Sequence, residues 1–150
     1  MKFPPCTRRR TAGFTLVELM IATSITGVLA SVAYPSFSGA LLKVRRAEAM
    51  VAMLQLQQAQ ERWRSGSIRY GTLAEVGVAS AVPGGNYLLS VSDPSPTGYR
   101  ATAQGTGGQA RDSACRYLVL AFESGNMSYR SGETEAAVNG EQANRKCWNV

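Results

Sequence analysis

Few residues in this chain could do chemistry, and one of them stands out by its placement. The 150 residues include no histidine, so the usual general base, proton shuttle and zinc ligand are all missing. Serines are plentiful, but none sits in a Gly-x-Ser-x-Gly elbow. The acids Glu48, Glu61, Glu75, Asp93, Asp112, Glu123, Glu133, Glu135 and Glu141 have neither the spacing of an EF-hand nor that of another dense metal loop. Gly105-Thr106-Gly107-Gly108 reads as a loop without the strand and helix that flank a phosphate-binding site. No enzymatic activity, no cofactor and no metal are therefore expected. What remains is Glu18, a lone carboxylate in an otherwise uncharged run. Lys2, Arg8, Arg9 and Arg10 precede it, and the next charged residue is Lys43. Phe14 to Leu42 would reach roughly 43 Å as a helix, more than the bilayer core of about 30 Å. A carboxylate in such a span costs on the order of a few kcal/mol near the midplane, so it needs a reason.

The residues around Glu18 supply one. A short basic leader runs into Gly13-Phe14-Thr15-Leu16-Val17-Glu18-Leu19-Met20-Ile21-Ala22. This head resembles the type IV prepilin family without a gap. The resemblance implies that a membrane-embedded prepilin peptidase cuts between Gly13 and Phe14 and N-methylates the new Phe14 amine. It also implies that Glu18 serves subunit assembly, with the N-terminal amine of a neighbouring subunit as its cation. A carboxylate in the first helical turn is also favoured by the helix dipole. A cleaved secretory signal fits less well, because the charged cut site precedes the apolar stretch instead of following it.

Cleavage changes the composition. The leader holds Lys2, Arg8, Arg9 and Arg10, so the formal charge falls from +6 to +2. Most of the apparent basicity then belongs to the cytoplasmic flank, in line with positive-inside placement. Cys6 leaves with the leader. Cys115 and Cys147 remain and read as one disulfide in an exported domain, with two free thiols as the alternative. Closing that loop would contribute roughly 3–4 kcal/mol on the chain-entropy model.

The elements that must position these residues begin with one long helix, about Phe14 to Ser65. Its first half is apolar almost all round and suits lipid or the packed centre of an assembly. Gly27 and Pro35 weaken it, and the resemblance implies that this region unwinds when a subunit leaves the membrane for the filament. From Lys43 the helix turns amphipathic. Val44, Ala47, Met50, Val51 and Leu54 share one sector, the spacing expected of a face covering a core. Ala52, Leu56, Ala59 and Trp63 form a narrower second stripe, either for neighbouring subunits or as the edge of one broad core face. Lys43, Arg45 and Arg46 read as residues of the outer membrane boundary or as a solvated face.

Beyond Ser65-Gly66-Ser67 the chain predicts a connection to Pro83, with a capping-box signal in Thr72-Leu73-Ala74-Glu75. Strands are expected at Tyr87–Ser92, Tyr99–Gln104, Arg116–Phe122 and Met127–Arg130, with Arg100, Thr102 and Gln104 outward. Residues 131–146 are polar and strand-poor, and Cys147-Trp148 returns the tail to the body. Tyr34-Pro35-Ser36, Arg46-Ala47-Glu48-Ala49, Gln60-Glu61-Arg62, Asp112 before Cys115, and Cys147-Trp148 resemble PilE-type minor pilins. The implied fold is α+β and type IV pilin-like. A long N-terminal helix packs on a small antiparallel sheet of three to four strands, with a disulfide-bounded C-terminal loop. The implied organisation is a basic leader (1–13), an apolar transmembrane or filament-core half of the helix (14–42), and an amphipathic half with the exported globular domain (43–150).

These features together predict a structural subunit, a minor pilin that enters or primes a type IV pilus for adhesion and twitching motility. Its partners would be the prepilin peptidase, other pilin subunits and the inner-membrane assembly platform. It would start in the inner membrane with a periplasmic domain and end in the extracellular filament. Two alternatives share the same head. One is a type II secretion pseudopilin, although the paired C-terminal cysteines and the lack of an obvious calcium loop argue against its major form. The other is a DNA-receptor pilin, with Arg100, Arg111, Arg116, Arg130, Arg145 and Lys146 as candidate phosphate contacts. Against it, scattered surface arginines are usually just solvated, so nucleic acid is not the expected partner.

Overall fold

A computed structural model describes residues 13–149. The leader lies outside the described residues apart from Gly13, and Cys6 lies outside with it. Two compact units result, one ending at Gly39 and one spanning Ala40–Val150. Helix α1 (Leu16–Arg64) begins in the first and ends in the second.

In the first unit α1 opens on a reciprocal cap. Thr15 Oγ1 accepts from the Glu18 amide, while the Glu18 carboxylate accepts from the Thr15 amide and hydroxyl. The large apolar side chains from Leu16 to Phe37 are exposed, and α1 is long and apolar enough to cross a membrane. The few hydroxyls need no outside partner. Thr23, Ser24 and Thr26 each donate to a carbonyl four residues back, and Ser31 and Ser38 to one three residues back. The helix continues through Gly27 and Pro35.

In the second unit α1 lies over an antiparallel meander of β1 (Tyr87–Ser92), β2 (Gly98–Gly105), β3 (Tyr117–Glu123) and β4 (Asn126–Gly132), in that order. Each expected strand falls within about two residues of its predicted ends. The core joins Ala49, Met53 and Leu56 of α1 to Tyr87, Leu89, Ala101, Ala103, Leu118 and Leu120 of the sheet.

The buried face of α1 corrects the sequence expectation. Val44, Val51 and Leu54 are more than half exposed. The buried line is Arg46, Ala49, Met53, Leu56 and Gln60, flanked by Ala52 and Ala59. Thus the narrower stripe packs on the sheet, and the wider apolar sector faces away except for Met50, which is half-buried against the core. A hydrophobic count misses this because the true core line begins and ends on polar side chains that find partners inside. Small alanines along it let the helix approach the sheet closely.

Thr102 is a second correction: expected outward, it is buried between its cross-strand neighbours Ser90 and Val119. Gly98 shows how tightly β2 and β3 meet, since a Cβ there would collide with the Phe122 carbonyl.

The connections are pinned by specific bonds. Gln60, fully buried, donates to the Gly71 carbonyl and accepts from its amide, at 2.6 and 2.9 Å. The segment before β1 adds a bridge, Ala81 to Leu88, that covers part of the sheet edge. Two short 3₁₀ turns, Gly107–Arg111 and Ser113–Cys115, link β2 to β3. The tail read as a loop ends in a helix, α2 (Glu141–Trp148), closed by Asn149 in the left-handed conformation. Cys115 and Cys147 form the expected disulfide, with Cα atoms 5.4 Å apart. Asn144 and Trp148 of α2 donate to the carbonyls of Tyr129 and Arg130 and so cover the end of β4.

Candidate functional site

The head of the chain presents Gly13 and Phe14 ahead of α1, with Phe14 90% exposed. Among the described residues no cation stands within salt-bridge distance of Glu18, whose bonded partner is its own Thr15. The first turn of the helix thus holds one carboxylate, aimed by its cap and surrounded by exposed apolar side chains. Gly27 and Pro35 lie further along the same helix. Proline leaves the Ser31 carbonyl without its helical donor, and a Cβ on Gly27 would meet nothing within 4 Å.

A different set of groups fixes the globular unit. The Arg46 Nε stands 2.7 Å from the Asp112 carboxylate, and both side chains are at most a tenth exposed. The same guanidinium donates to the Lys146 carbonyl at 3.2 Å, so one side chain ties α1 to the 3₁₀ turns and to α2. Gln109, fully buried, places its amide nitrogen 3.0 Å from Asp112 Oδ2, 3.1 Å from the Tyr87 hydroxyl and 3.3 Å from the Leu42 carbonyl. The Tyr87 hydroxyl in turn donates to the Cys115 carbonyl. Burial pushes this phenol up to about 12, so it stays a neutral donor at any physiological pH. Reading Arg46 as a membrane-boundary cation was therefore wrong. It is a core residue, since a guanidinium can be buried when a carboxylate and carbonyls take its donors. Arg46 and Asp112 both lie within the motifs shared with minor pilins, but nothing in the spacing of the two reveals that they pair.

The connection beyond α1 carries the predicted capping box. The Glu75 carboxylate accepts from the Thr72 amide and hydroxyl and pairs with Arg69 at 2.7 Å. The Arg69 guanidinium, then the Thr72 donors, hold this carboxyl down at about 2 against an ordinary 4.5. Its contribution to stability is complete above about pH 4.5 and is lost as pH falls through about 2. A carbon-13 titration of the Glu75 carboxyl should give a midpoint near the lower value. A midpoint near 4.5 would mean that the box is open in solution.

The candidate phosphate contacts do not converge on one patch. Arg100 and Arg130 share a sheet face but lie on β2 and β4, with β3 between them. Arg116 gives its Nε and Nη2 to the Ala110 carbonyl. Arg145 lies 3.8 Å from Glu141 on α2, and Lys146 follows it exposed. Among the described residues no group of three or more cysteines and acids could hold a metal ion.

A long apolar-headed helix on a four-stranded meander, with a disulfide in the C-terminal region, defines the class of type IV filament subunits. The chain belongs to the type IV pilin family. Residues 8–34 match the prokaryotic N-terminal methylation motif, and residues 35–119 match the type IV minor pilin ComP, described as a DNA uptake sequence receptor. The major pilin PilA of Myxococcus xanthus is 39% identical over 71 residues, which cover 47% of this chain and 32% of that protein. The type II secretion system core protein G is 31% identical over 93 residues in Aeromonas hydrophila, covering 62% of this chain and 61% of that protein. In Klebsiella pneumoniae its counterpart is 30% identical over 114 residues, covering 67% of this chain and 81% of that protein. The matched part thus spans about a third of the Myxococcus pilin.

Proposed function

We propose that this chain is a non-catalytic structural subunit, a minor pilin, of a type IV pilus. It is cut by the prepilin peptidase between Gly13 and Phe14, is methylated on Phe14, and waits in the inner membrane with its globular unit in the periplasm. It then joins other pilins through the assembly platform, as part or primer of an extracellular filament serving adhesion and twitching motility. The observation that carries this reading is Glu18. Its carboxylate sits in an apolar, exposed first turn, and a cation from a second subunit would complete it. Gly27 and Pro35 weaken the helix where it would have to unwind on extraction. The outward sector of Val44, Val51 and Leu54 supplies apolar surface for neighbouring subunits. Gly13→Phe should leave the leader attached, and a normal mature mass in that variant would refute the assigned cut.

A second reading is favoured by the match to the DNA-receptor minor pilin over residues 35–119. In it the same subunit also contacts DNA, through arginines such as Arg100 and Arg130 that lie on one sheet face. A gel shift of a short duplex by the full chain in detergent tests it. Binding at low salt that fades as salt rises supports this reading, and no shift at low salt removes it. The likeness to type II secretion core protein G supports a pseudopilin role instead, and absence of the chain from sheared surface filaments would favour it.

A further inference from the structure

The exported flank of the apolar run carries Lys43, Arg45 and Arg46 within its first turn. Such a cluster runs against the positive-inside bias of membrane segments, so its members need a reason to be there. Arg46 has one, the buried pair with Asp112. Arg45 has no such partner. A Cβ on Gly108 would stand 3.2 Å from Arg45 Nη1 and 3.7 Å from Arg111 Nη2, so two guanidiniums flank one bare glycine. Among the described residues neither has a carboxylate within 4 Å. Like charges brought together without a counter-ion repel each other, and an anion between them removes that repulsion.

The level at which they meet is set by Gln109. Its amide donates to the carbonyl of Leu42, the last residue of the uncharged run, and this holds the Gly107–Arg111 turn beside the start of the charged segment. Lys43 and Lys146 are exposed and line a hollow of about 360 Å³ that also includes Val44, Ala47 and Met50. The hollow and the Arg45–Arg111 pair lie on different sides of α1, so cations flank the helix on both sides at the level just past Leu42. A helix leaving a bilayer at Leu42 would meet the headgroup phosphates there.

We propose that Arg45 and Arg111 form a binding site for the phosphate of an anionic phospholipid headgroup, tethering the globular unit of the unassembled subunit at the membrane surface. The proposal rests on the membrane-held state proposed above and not on entry into filaments, so the two can fail separately. The test is native mass spectrometry of the full chain in detergent with phosphatidylglycerol or phosphatidylcholine, compared with the R45Q/R111Q double variant. Circular dichroism and an intact disulfide would establish that the variant is folded. The expected result is a preference for phosphatidylglycerol on the order of tenfold that the double variant loses. Equal retention of the two lipids, or a preference unchanged in the variant, would overturn it. So would displacement of the lipid by inorganic phosphate at equal concentration, which would mark a simple phosphate site. Loss of duplex DNA binding in the variant with lipid retention intact would assign the pair to DNA instead and overturn it as well.

Discussion

Asp112→Ala should destabilise the globular unit by about 3–5 kcal/mol, the usual cost of removing one partner from a buried ion pair. The effect is large because Arg46 cannot follow the change. Its guanidinium is at most a tenth exposed, sits on α1 among core residues, and would keep only the Lys146 carbonyl as a strong acceptor. Gln109 would also lose Oδ2, but its two N–H groups keep the Tyr87 hydroxyl and the Leu42 carbonyl, so the loss falls mainly on Arg46. Urea unfolding of the oxidised protein measures the loss. Asp112→Asn should cost less, since an amide oxygen still accepts from Arg46. Replacing both partners by apolar residues should recover much of the difference, because no buried charge is left. An Asp112→Ala midpoint equal to wild type would show that Arg46 is solvated and that the network does not hold α1 to the turns.

Glu18→Ala should abolish entry into filaments while leaving processing and membrane insertion intact. In this chain the carboxylate is held by its own Thr15 cap, so alanine removes one exposed cap and weakens only the first turn of α1. The membrane-held state even becomes less costly without an acid in an apolar span. Loss of filament entry would then report on the missing intermolecular charge pair and not on misfolding. Variant chains should accumulate as mature, methylated protein in the membrane fraction. If they appear in sheared filaments at wild-type abundance, the charge pairing is not what drives assembly.

Much of the fold was legible in the residues, for identifiable reasons. Tyr87–Ser92 and Gly98–Gly105 largely alternate in residue type, Leu88 apart, and are bounded by Gly84-Gly85-Asn86 and Asp93-Pro94-Ser95-Pro96, so the strand positions were readable even though the burial of Thr102 was not. The Thr72 and Glu75 box was readable because its spacing is its mechanism. Helix α2 escaped because Glu141 to Trp148 is polar over most of its length. Its register is set by the Cys115 bridge and by Asn144 and Trp148 capping β4, none of which is local. The orientation of α1 escaped for a related reason. Val44, Val51 and Leu54 outweigh Ala49 and Ala52 on any hydropathy count, but only the line from Arg46 to Gln60 offers small residues and polar ends with partners waiting in the turns. The isolation of Glu18 is visible in the residues themselves, whereas the Arg45 and Arg111 pair is brought together by tertiary structure across more than sixty residues.

Mass spectrometry of sheared surface filaments tests most directly whether this chain is a processed filament subunit. The expected result is the chain present among the filament proteins, its N-terminal peptide beginning at N-methylated Phe14 with the leader absent. A chain missing from the filaments, or present with the leader still attached, would contradict it.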